Sequence, residues 1–140
     1  MATLILKEET PDRLVFVENP DNRKGGITSL WSKKNSETII VLDLSYKRIT
    51  RTKTTPKRPD EQSELSLDQV KNIIIYSADY SPMPEHQWPA EMVFYSLDNT
   101  NFVFNSGRRD EIKSLADKIA SLVGLSIEEK FVGSPKEFPN

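Results

Sequence analysis

Cysteine is absent from the 140 residues. Its absence removes disulfide frameworks, thiolate zinc sites, thiol nucleophiles and iron–sulfur clusters. Histidine occurs once, as His86, so no two-histidine metal motif can be written. Glycine is scarce at 5 residues. The one pair, Gly25-Gly26 after Arg23-Lys24, lacks the glycine–lysine spacing and following helix of a phosphate loop. Long apolar runs are missing too. The longest uncharged stretches, such as 99–107 and 119–127, have 9 residues, whereas a membrane-crossing helix needs about 20. The opening MATLILKEETPDR has no basic region and meets glutamates within ten residues, which is not the pattern of a secretory signal. These absences predict a cytoplasmic protein, and the lack of any catalytic constellation predicts that it is not an enzyme.

What remains fits one ordinary domain with a modest core: 36% of residues are hydrophobic and 29% charged. The net charge of −2 conceals a split. Residues 1–58 hold 12 basic and 7 acidic side chains, and residues 59–140 hold 7 basic and 14 acidic. Folding can cancel such halves against each other, so the split alone identifies no partner.

Apolar alternation and β-branched runs predict short strands over 3–7, 13–17, 38–44, 47–53, 70–76, 91–97 and 101–105. Pro11-Asp12 and Asp98-Asn99 suit the connecting turns. Residues 19–37 read as a long polar loop carrying Trp31, and 54–64, with two prolines, as a flexible connection. Ile112, Leu115, Ala116, Ile119, Leu122 and Val123 recur at helical spacing. A helix over 109–123 follows, with Ser106 or Asp110 as its start cap and Gly124 at its end. That apolar stripe requires burial, and the sheet is the large surface available for it.

The resulting fold class is α+β: a strongly bent antiparallel sheet, or pleckstrin-homology-like barrel, of six to seven strands closed by one C-terminal helix. The domain spans 1–127 and a flexible tail 128–140. The layout of a strand meander followed by a terminal helix resembles pleckstrin-homology-like domains. Three stretches are more specific: IIVLDLSYKRITRT at 39–52, LSLDQVKNIII at 65–75 and LADKIASLVGLSIE at 115–128. They resemble the soluble part of the photosystem I assembly protein family of cyanobacteria and plastids. Members of that family carry two hydrophobic spans before this region, and no such run occurs here. The resemblance implies a role in photosynthetic membrane assembly, peripheral to the membrane.

Two features could bind partners. Residues 46–58, YKRITRTKTTPKR, contain Lys47, Arg48, Arg51, Lys53, Lys57 and Arg58 and no acid. Such a run can gather phosphates of lipid head groups, or it can serve as a charged strand that protects a sheet edge. Alternation places Ile49, Arg51 and Lys53 on one face, so if Ile49 enters the core, the two cations must leave the sheet edge or run past the core. No aromatic residues interleave the cations, and the isoelectric point is near 5.5. Both facts argue against nucleic acid. A protein partner or an anionic lipid surface is the expected ligand. The second feature is SPMPEHQWP at 81–89, where Met83, His86 and Trp88 could form a partner loop, or Met83 and Trp88 could fold over the core as a lid. His86 beside Glu85 makes no acid–base pair, because neighbours on an extended segment point apart. The carboxylate pairs Asp60-Glu61, Asp110-Glu111 and Glu128-Glu129 lack calcium-loop spacing, and no cofactor motif is present. The alternative to an interaction module is a small-ligand or pigment-binding barrel lined by Trp31, Tyr95, Phe102 and Phe104.

Overall fold

A computed structural model describes residues 3–19 and 37–139. The long loop expected at 19–37, with Trp31, falls almost entirely outside them. The chain divides into two compact units, Met1–Ser66 and Leu67–Asn140, where the sequence suggested one domain over 1–127.

The first unit is an antiparallel meander of β1 (Thr3–Thr10), β2 (Arg13–Asn19), β3 (Glu37–Asp43), β4 (Arg48–Thr54) and β5 (Glu61–Ser66), paired in that order. The period-2 pattern sends Leu4, Leu14, Phe16, Ile40, Leu42, Ile49 and Leu65 to one buried face. The register couples them across strands, with Phe16 opposite Ile40, Leu42 opposite Ile49, and Ile49 opposite Leu65. The Asp43 carboxylate accepts from the Tyr46 N–H at 3.0 Å and shapes the β3–β4 turn. β5 begins within the stretch 54–64 that reads as flexible. Its sequence EQSELS sends only Leu65 to the core, too weak an apolar signal to identify a strand.

The second unit starts with a single 3₁₀ turn, Leu67–Gln69, and β6 (Val70–Ala78). A loop containing the 3₁₀ turn Glu85–Gln87 leads to β7 (Pro89–Ser96). Two short strands follow, β8 (Phe102–Val103) and β9 (Gly107–Arg108), then α1 (Arg109–Val123) and β10 (Ile127–Val132). The sheet order is β10-β6-β7-β8, with β9 also paired to β7. β6 and β8 each run antiparallel to β7, and β10 joins β6 in parallel. Where the sequence suggested a flexible tail from 128, Ile127–Val132 therefore form an edge strand. The signal was short: Ile127, Phe131 and Val132 around three charges.

Helix α1 runs over the expected residues and packs on β6 and β7. Ile112, Ala116 and Ile119 are its buried stripe, meeting a sheet face that carries Ile73, Ile75, Met92, Phe94, Phe102 and Phe104. Leu122 is exposed and Leu115 only half-buried, so the stripe is narrower than the periodicity suggested. No side chain caps the start, which lies at Arg108. Asp110 instead accepts from Arg108 and from the Glu111 N–H. Gly124 ends the helix at φ +74°, its N–H bonded to the Ala120 carbonyl at 2.8 Å, a left-handed conformation that costs glycine least.

The architecture is thus α+β, with two sheets and one helix. Each sheet has open edges, and among the described residues no closed barrel forms. The pleckstrin-homology-like barrel is not confirmed: the meander stops at Ser66 and the later strands build a second sheet.

Candidate functional site

The basic run does not gather into one patch. Lys47 and Arg48 lie where the chain enters β4, and Lys53, Lys57 and Arg58 at or beyond its far end. The extended run from Arg48 to Lys53 separates the groups by roughly 17 Å. Arg51 stays on the core face beside Ile49, and its Nε and second guanidinium nitrogen donate to the Glu18 carboxylate at 3.0 and 3.2 Å. Glu18 is 5% exposed. That pairing explains how a cation remains next to the core: β2 supplies its counter-charge across β3. Arg48 pairs with Glu64 at 3.1 Å, and Lys53 stands opposite Glu61. β5 thus contributes acids against two of the cations of β4. Lys47 and Lys57 occupy left-handed turn positions at φ +52° and +63°. Arg58 closes its turn through an N–H bond to the Thr55 carbonyl at 3.2 Å. Lys53, Thr55 and Arg58 line an open groove of about 400 Å³, but Asp60 and Glu61 line it as well. Its charge is mixed rather than cationic.

The loop between β6 and β7 is better organised. The Met83 N–H bonds to the Tyr80 carbonyl at 2.9 Å, and the Trp88 indole N–H to the Met83 carbonyl at 2.8 Å. The Trp88 ring meets Phe131 of β10 edge-on at 6.3 Å. Tyr80, Met83 and Phe131 nevertheless remain 57, 40 and 56% exposed. Trp88 is half-buried and acts as the pin of the loop, so Met83 faces solvent while Trp88 is partly the lid. His86 is exposed; its Nε2 lies 3.4 Å from the Gln87 amide.

Beneath this loop sits Arg109, the first residue of α1. Its side chain is 14% exposed. It bonds Glu129 of β10, lies 3.9 Å from Glu85, and stacks its guanidinium 5.5 Å from the Phe131 ring centre. Lys113 reaches the same Glu129 at 3.6 Å. The Arg109 N–H also bonds the Trp88 carbonyl at 2.8 Å. Loop, helix start and edge strand are therefore locked together. A cation at a helix start opposes the helix dipole, and the nearby acids offset that cost. Nothing local in the sequence singles out Arg109 or Phe131, because Phe131 and the Glu129 that pairs with Arg109 lie in a segment that reads as tail.

The aromatic residues of the alternative reading do not converge. Phe94, Phe102 and Phe104 pack against one another with centroids 5.0 to 6.5 Å apart in the helix-side core. Tyr95 alternates to the opposite sheet face, where its hydroxyl bonds that of Tyr76. That bond, together with burial, pushes the Tyr95 phenol up to about 12. An open groove of about 370 Å³ runs past Tyr95, Asn72, Ile74 and Lys130 on this face. Trp31 lies outside the described residues. Among those residues no helix is long and apolar enough to cross a membrane, and no group of three potential metal ligands occurs. No protein-family model matches the chain, and no curated protein matches its sequence.

Proposed function

We propose that the chain is a non-enzymatic interaction module that docks on a protein assembly through the aromatic loop of its second unit. The observation that carries this reading is the exposure of Tyr80, Met83 and Phe131 around a Trp88 already held by its indole bond and by Phe131. Anchors fixed before binding lose less entropy on docking, and large apolar side chains in a pinned loop supply most of the contact energy. The basic run supports an anionic membrane less well, because Glu18, Glu61 and Glu64 oppose its strand residues. The resemblance of 39–52, 65–75 and 115–128 to photosystem I assembly proteins makes photosynthetic membrane fractions the first place to seek the partner.

Affinity purification from the native host with mass spectrometry, followed by binding of the purified partner, tests the reading. Tyr80→Ser with Met83→Ser should abolish capture and leave the thermal melt intact. If that variant binds unchanged while Lys57→Glu with Arg58→Glu loses binding, or loses co-sedimentation with acidic liposomes, the basic turn is the docking surface instead.

A further inference from the structure

We propose that the open edge of β10 pairs with the same strand of a second copy of this chain, antiparallel and centred on Glu129. Among the described residues, sheet order gives β10 a neighbour on one side only. The Ile73 N–H bonds the Ser126 carbonyl at 3.0 Å and the Asp79 N–H bonds the Val132 carbonyl at 3.2 Å. Backbone groups of a strand alternate in direction, so those of 126, 128, 130 and 132 face β6, and those of Ile127, Glu129 and Phe131 face outward.

An antiparallel twofold pairing brings outward-facing residues together whether it is centred on an outward residue or an inward one, but centring on 128 or 130 sets Glu128 or Lys130 against its own copy. Centring on Glu129 places Ile127 opposite Phe131 of the second copy, and Glu128 opposite Lys130 of the second copy, twice by symmetry. The apolar pair lies on the helix side of the sheet, and the charged pairs on the other. The charged pairs also occupy the non-hydrogen-bonded positions, where cross-strand side chains approach most closely. The central Glu129 meets its own copy, but each already binds Arg109 and Lys113 of its own helix. Centring on Phe131 instead sets Lys130 against Val132 and loses the complementarity. Phe131 is 56% exposed, an apolar side chain that this register covers. Charges on an edge ordinarily deter pairing; here their order, acid at 128 and base at 130, is self-complementary.

Sedimentation equilibrium of the full chain should show a reversible dimer. Glu128→Lys alone and Lys130→Glu alone each set like charges opposite one another, and each should raise the dimer Kd about tenfold or more. Mixing the two variants should restore a one-to-one dimer, as should the double swap in one chain. An unfolded variant could not be rescued in this way. A wild-type chain that stays monomeric up to the highest concentrations used for NMR overturns the proposal and leaves the edge to a foreign strand. A dimer that survives both single variants overturns it as well. Tyr80→Ser with Met83→Ser should leave the dimer intact, so this inference and the docking reading fail separately.

Discussion

Arg51 shows what a run of like charges conceals. Six cations within 46–58 were legible as a feature, but their counter-charges were not. Glu18 is 33 positions away and meets Arg51 only because β2, β3 and β4 lie side by side. Arg51 is 25% exposed at the side chain and Glu18 4%. The cost of losing the pair should fall between roughly 1 kcal/mol for an exposed pair and roughly 3–5 kcal/mol for a buried one. Arg51→Ala should therefore lose about 2 kcal/mol in urea unfolding. Replacing both residues by leucine should cost much less than that, because no buried charge is then stranded. A double variant as unstable as Arg51→Ala would show that the guanidinium matters through packing rather than charge. Tyr95 supplies a pH test. Its folded-state value of about 12 lies above its ordinary 10.0. The stability it contributes is therefore complete below pH 10 and lost as pH rises through about 12. Near-ultraviolet titration should show one phenol ionising late, and Tyr76→Phe should return it toward the ordinary value.

At the level of elements, the helix was the most legible part, because its period repeats over four turns. The periodicity overstated the width of the buried face, however. Ile112, Ala116 and Ile119 are fully enclosed, whereas Leu115 is half-buried and Leu122 is 47% exposed. The position most sensitive to an added charge is therefore Ile119 rather than Leu115. Ile119→Ala should cost about 2–5 kcal/mol. Leu115→Asp should cost less than Ile119→Asp in the same melt; the reverse order would displace the seam. β5 and β10 were missed for a common physical reason. Each is a charged edge strand, and solvent accepts most of its side chains, so little hydrophobic patterning is left to read. The candidate loop was legible from Met83 and Trp88, but its anchor Phe131 was not, since it lies on one of those edges.

On the scale of the whole chain, the two units differ in the kind of contact they need. The first is a meander in which every strand pairs with its sequence neighbour. The second closes through a parallel ladder that sets Ile73 beside Ile127. Non-local parallel pairing carries the larger loop-closure cost and forms slowly. In refolding followed by pulse-labelled hydrogen exchange, amides of β2–β4 should gain protection before those bonded between β6 and β10. Simultaneous protection of both sets would show that the units fold as one. A chain shortened to end at Ser126 should lose the cooperative melt of the second unit, because β6 then loses its β10 neighbour and the Glu129 that holds Arg109 and Lys113.

The parallel β10 also matters while the polypeptide is being made. A ribosome delivers Ile73, Ile74 and Ile75 well before Ile127 and Phe131 emerge from its exit tunnel. During that interval the strand carrying three consecutive isoleucines has one unguarded flank, and nascent-chain chaperones would find their natural target there.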